Sequence, residues 1–178
     1  MNTRLRALQI LVALFATFSV AAAASSLQPS VTTLVDVVRA AIAEFQDPED
    51  AIAAGWLPAP ACVSGPQEGG MGVHFVNGTL VGDGMLHAER PEALVFEPGA
   101  GRMRLVAVEY IVLADAWNAA NPAPPVLLGQ QFHYVGSPNR YGLPAFYELH
   151  VWAWKQNPSG TFADWHPHVS CDRFTPGP

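Results

Sequence analysis

The chain has 178 residues, half of them hydrophobic and only 13% charged, with a formal net charge of -6. That length suits one domain-sized core and is too short for two. The composition excludes a disordered tail, a coiled coil and a collagen, and nine basic residues against fifteen acidic ones leave no electrostatic footprint for nucleic acid.

Residues 1–24 are set apart from the rest. Arg4 and Arg6 precede an apolar run, Ala7–Val20, which exits through the small residues Ala21–Ser25. Basic, apolar and small in that order predict a secretory signal peptide over 1–24, removed to leave 25–178 as a single secreted or periplasmic domain. The apolar core is short for a membrane span, and no second long apolar segment follows. No membrane is therefore expected as a partner after cleavage. Export puts Cys62 and Cys171, the only cysteines, in an oxidising compartment, where a structural disulfide between them is predicted.

Ser30 is placed to cap a segment in which Leu34, Val38, Ile42 and Phe45 recur at helical spacing. Asp47-Pro48 opens a second, short helix that runs to Ala54, with Gly55 available to end it in the left-handed conformation. Trp56 and Leu57 follow as expected core anchors, and Pro58–Gly72 is expected to be a loop carrying Cys62. Val73–Val76 and Leu80–Val81 then flank Asn77-Gly78, a hairpin dipeptide. Ala93–Phe96 is a short apolar run. Leu105–Leu113 is the clearest strand, apolar on both faces except at Glu109. Ala114–Pro125 is expected to be a loop or helical turn, and Val126–Val135 and Ala145–Trp154 to be further strands, with Thr161–Cys171 closing the chain onto its disulfide. The predicted fold class is α+β: two N-terminal helices followed by a curved, mainly antiparallel β-sheet or small β-barrel of five to seven strands.

A carboxylate in an apolar strand is costly unless it is paired, protonated or metal-bound. Glu109 is such a group, since its same-face neighbours by simple alternation are Leu105, Ala107 and Ile111. Alternation over Glu148–Trp154 puts Glu148, His150, Trp152 and Trp154 on one face, a carboxylate, an imidazole and two indoles that suit the wall of a ligand cleft. Gly69-Gly70-Met71-Gly72 lets the backbone approach a neighbour closely just before His74 and Asn77. His74, Glu109 and His150 come from three strands and make a candidate metal set for zinc, iron or copper. Glu148, Trp152, Trp154 and Asn77 are the candidate ligand contacts. No spacing such as HxH ties the metal set together. The one HxH, His166-Pro167-His168, falls in the closing segment, and His87 and His133 stand alone. No G-x-S-x-G elbow is present, and Ser64 has no evident base.

The runs Gly70-Met71-Gly72-Val73-His74-Phe75-Val76-Asn77, Leu105–Tyr110 and Tyr147-Glu148-Leu149-His150-Val151-Trp152-Ala153-Trp154, with Asn157-Pro158, Gly160 and Phe162, resemble those of a group of uncharacterised secreted bacterial proteins. The resemblance covers Ala51 to Cys171. It implies secretion and one compact domain, and it carries no catalytic role. A looser similarity is to the cupins, small β-barrels that hold a metal with His and Glu. The chain departs from the cupin pattern after His74, where Phe75-Val76 stand in place of a second His one residue on.

Three functions fit these residues. One is an extracytoplasmic binding protein holding a small ligand or metal ion in a His/Glu/Trp-lined pocket. The second is a secreted structural or interaction domain whose polar strand residues bond one another. The third is a metal-dependent enzyme on the same residues.

Overall fold

The computed structural model describes residues 33–175. The expected signal peptide and the expected Ser30 cap lie outside the described residues. The first helix, α1 (Leu34–Ala41), is instead capped by Thr33. Its Oγ1 accepts from the Asp36 N–H at 3.2 Å while the Asp36 carboxylate accepts from the Thr33 N–H at 3.1 Å, a reciprocal capping box. The second, α2 (Pro48–Ala53), starts as expected on an Asp47 cap with Pro48 at the first helical position. Trp56 is buried and donates from Nε1 to the Pro91 carbonyl, whereas Leu57, expected in the core, is 60% exposed.

The strands are β1 (Leu57–Gly65), β2 (Gly69–Val76), β3 (Ala93–Pro98), β4 (Met103–Leu113), β5 (Val126–Leu127), β6 (Gln130–Gln131), β7 (His133–Val135) and β8 (Phe146–Val151). Two further helices are α3 (Gly78–Asp83) and α4 (Ala114–Ala120). Six strands form one antiparallel sheet in the order β1-β2-β3-β4-β8-β7, while β5 and β6 pair separately. The fold is α+β, with the sheet curled into a half-barrel.

Several local expectations are corrected. Pro58–Gly72 is largely strand. Pro58 and Pro60 are tolerated because β1 is an edge strand whose pairing is irregular between Pro58 and Cys62. Asn77-Gly78 is no hairpin: the Asn77 carboxamide accepts from the Thr79 and Leu80 N–H groups and caps α3, which takes up Leu80 and Val81. Val126–Val135 breaks into three short pieces around Gly129 (φ 82°). Strand β8 stops at Val151, and the Trp152 N–H turns away to the Thr161 carbonyl at 3.0 Å.

The sheet has two buried faces, which accounts for the nearly continuous apolar runs of β3 and β4. On the helix side, Val38, Ile42 and Trp56 pack with Phe75, Leu94, Phe96, Tyr110, Leu149 and Val151. On the concave side are Val95, Val106, Ala107, Trp152 and Val169, and beside them Ala93, Ile111 and Phe146. A bulge makes this division possible. Val95 opposes Ala107 and Phe96 opposes Leu105, so Val106 is an extra residue in β4. Simple alternation would put Leu105 and Glu109 together. The bulge sends Leu105 to the helix-side core and leaves Glu109 on the concave side.

Two devices hold the curl. Cys62 on β1 is bonded to Cys171 at the end of the chain (S–S 2.00 Å), and no free cysteine remains. The Gly136–Ala145 loop runs from β7, at one edge of the sheet, across to β1 at the other. Arg140 Nη2 donates to the Ser64 carbonyl at 2.8 Å, and the Tyr141 hydroxyl donates to Met71 Sδ at 3.5 Å. Asn139 shapes this roof by donating to the Gly136 and Leu143 carbonyls and accepting from the Tyr141 and Leu143 N–H groups. Among the described residues, no helix is long and apolar enough to cross a membrane.

Candidate functional site

His74 sits on β2, Glu109 on β4 and His150 on β8. Glu109 and His150 are direct partners across the β4–β8 ladder, while β3 separates both from His74. In a flat sheet, β2 and β8 would lie about 14 Å apart, three steps of about 4.8 Å. Yet His74 Nε2 is 3.4 Å from His150 Nε2 and 3.2 Å from Glu109 Oε2. Only a strongly curled sheet brings these atoms together. Between them on the concave face, β3 and β4 present Ala93, Val95 and Ala107, short side chains over which the longer ones close.

All three side chains are buried, His150 completely. Burial pushes His74 down to about 4 from its ordinary 6.5, with the Gly72 carbonyl acting weakly the other way. Burial and the neighbouring His74 hold His150 well below its ordinary range. Burial and the adjacent Glu148 carboxyl hold Glu109 well above the ordinary carboxylate range. Glu148 itself is raised to about 7, mainly by burial. Burial thus favours the neutral form of all three groups, the two imidazoles and the Glu109 carboxyl. Among the described residues, the buried His150 Nδ1 has no hydrogen-bond partner, an arrangement that native interiors rarely leave unexplained.

His74, Glu109 and His150 each offer a ligand atom within 4.8 Å of the other two, and Glu148, His150 and Asp164 do the same. Asp164 also receives His133, Oδ1 to Nδ1 at 2.8 Å. His74 and Glu109 form part of the floor of a cavity of about 630 Å³. Its walls are almost entirely apolar, supplied by β1, β2, α3, β4 and the roof loop.

The structure brings His74, Glu109, Glu148 and His150 together. Trp152 stays on their face, its ring near parallel to His150 at a centroid distance of 6.2 Å. It lies under the closing segment, donating from Nε1 to the Ala163 carbonyl, and does not line the cavity. Trp154 packs against the helix-side core, because the chain leaves the strand after Val151 and alternation no longer applies. Asn77 is the α3 cap and is not on the cavity wall. His166 is buried and hydrogen-bonded to the Gln156 carbonyl.

Sequence reasoning missed Arg140, Tyr141, Asp164 and Glu92. The first three come from coil whose path only the closed fold defines. Glu92 carried a signal, a carboxylate next to the apolar run Ala93–Phe96. Its Oε2 accepts from the buried Ile111 N–H at 3.0 Å. The three-glycine run serves packing. The backbone of Gly70 pairs with His166, and a Cβ at Gly72 (φ 116°) would come 2.7 Å from the Phe96 carbonyl oxygen. No family model, curated protein or solved structure matches the chain.

Proposed function

We propose that the protein is an extracytoplasmic binding protein that holds one divalent transition metal ion with His74 and Glu109, at the floor of its cavity, and His150, buried behind them. The observation that carries this reading is the spacing of the donor atoms. A tetrahedral ion with bonds of about 2.0–2.1 Å separates its ligands by about 3.3–3.4 Å; His74 stands 3.2 Å from Glu109 and 3.4 Å from His150, and the whole set lies within 4.8 Å. Burial keeps the two imidazoles in the neutral form that coordinates, while the Glu109 carboxyl, raised by burial and Glu148, would release its proton as the ion binds. Two nitrogens and one carboxylate oxygen suit zinc, iron or copper rather than calcium or magnesium. The cavity beside His74 and Glu109 offers the side from which a fourth ligand would approach. The Cys62–Cys171 bond supports an oxidising compartment.

The test is metal content and titration on mature protein purified without an affinity tag or chelator. One equivalent of zinc is expected, together with a tetrahedral visible spectrum for the cobalt form. His150→Ala and Glu109→Gln should each weaken zinc at least tenfold while far-UV circular dichroism is unchanged. No metal at purification and none on titration would refute the reading.

A further inference from the structure

Polar groups are distributed very unevenly around the cavity. Among the described residues, the polar side chains that line it are His74, Glu109, Arg140 and Tyr141. The first two lie together at the floor, 3.2 Å apart. The other two are in the roof and already engaged. Arg140 donates to the Ser64 carbonyl and lies 5.3 Å above the Trp165 ring, and the Tyr141 hydroxyl is turned to Met71. Between floor and roof the walls present Val76, Val81, Ile111, Leu113, Leu143 and Phe146.

A molecule with polar groups along its length would leave them without side-chain partners against these walls, and each such unmet group opposes binding. A wholly apolar molecule would press against the His74–Glu109 floor and leave it unused. The lining suits a molecule polar at one end only. At about 630 Å³ the cavity falls within the roughly 300–1,000 Å³ of small-molecule sites.

We infer that the cavity takes an elongated, mostly apolar small molecule with a single metal-coordinating acidic head, of the class of medium-chain or aryl acids. The head occupies the open position of the ion, and the tail lies among the aliphatic walls. This rests on the metal reading above and extends it by giving the fourth ligand an identity.

The experiment is calorimetric titration of zinc-loaded and metal-free protein with octanohydroxamate, acetohydroxamate and octanol, with zinc content measured again afterwards. Octanohydroxamate is expected to bind the zinc form at least tenfold more tightly than it binds the metal-free form. It should also bind the zinc form at least tenfold more tightly than acetohydroxamate does. Val81→Glu should abolish that preference for the octyl chain while zinc stoichiometry stays at one, and Leu143→Arg in the roof supplies a second wall variant should the first fold poorly. Equal affinity for the two hydroxamates would overturn the apolar tail site. Equal affinity of octanohydroxamate and octanol on zinc-loaded protein would overturn the coordinated head, as would removal of the zinc by the probe. If zinc itself fails to bind, the metal reading falls at the preceding step and the inference falls with it, a result that titration with zinc alone distinguishes from failure of the tail site.

Discussion

Substituting Glu92 with Gln should stabilise the protein, and more so as pH rises. Strand β3 begins at Ala93, opposite Glu109, so the backbone of β4 has no β3 partner beyond that point. The Glu92 carboxyl replaces the missing strand, accepting from the Ile111 N–H at 3.0 Å. Burial raises this group from 4.5 to about 8. Between those values the unfolded chain has released a proton that the folded chain still holds. Stability therefore falls as pH rises through the window, by about 1.4 kcal/mol per unit, which reaches roughly 3 kcal/mol by pH 7. Glutamine keeps the acceptor for Ile111 and cannot ionise. Urea unfolding followed by tryptophan fluorescence at pH 5, 6, 7 and 8 should show Glu92→Gln gaining steadily on the parent, by roughly 3 kcal/mol at pH 7 and further at pH 8. Glu92→Leu removes the acceptor and should lose about 1–3 kcal/mol of the gain. His74, His150, Glu109 and Glu148 titrate in both proteins, so the informative quantity is the difference between them. A difference independent of pH would refute the assignment of Glu92 as a buried, protonated bridge.

Metal-free protein should also lose stability in acid. His74 is lowered to about 4, so the unfolded chain takes up a proton that the folded chain refuses as pH falls from 6.5 toward 4. The loss is about 3 kcal/mol for this group alone. A urea midpoint in metal-free His74→Asn as acid-sensitive as the parent's would contradict this. Replacing Cys62 and Cys171 together by Ala frees chain ends 109 residues apart in sequence and should cost about 4–5 kcal/mol, read as a shift in urea midpoint relative to the oxidised parent. Gly72→Ala combines a positive φ with a Cβ 2.7 Å from a backbone oxygen and should cost about 2–4 kcal/mol. An unchanged thermal midpoint would show that β2 and β3 can part without penalty.

How much of this was visible in the sequence depends on whether local rules governed each residue. The Asp47-Pro48 helix start and the nine-residue core of β4 could be read because capping and strand periodicity are short-range. Glu109 stood out because a single carboxylate in an apolar strand violates one clear rule. Its meeting with His74 could not be read, since it depends on the curl of a sheet with a third strand in between. Asn77-Gly78 was ambiguous on physical grounds: the same carboxamide that favours a turn also caps a helix, and α3 took the second option. Alternation extended three residues past the end of β8 puts Trp154 on the face of His150, whereas beyond Val151 the chain turns and Trp154 packs against the helix-side core. The roof loop offered no periodic pattern, and its course is set by Asn139 and by Arg140 reaching the opposite edge of the sheet.

The bulge at Val106 makes the site sensitive to a kind of change that substitutions do not test. An extra residue in one strand acts as a parity element, because side chains on either side of it keep opposite phase with respect to the sheet. Deleting Val106 would remove the extra residue and leave Leu105 three positions before Glu109, so plain alternation would keep Leu105 on the helix side and Glu109 on the concave side. Replacing Val106 by Ala or Ile preserves the phase and leaves both residues on their present faces. In β4, then, the faces of Leu105 and Glu109 follow from the residue count between them taken together with the bulge, and not from which residue stands at position 106. A one-residue deletion that takes the bulge with it would leave Glu109 on its present face, whereas an insertion between Ala107 and Glu109 that kept the bulge would turn the carboxyl away from His74 and His150 without touching a single ligand.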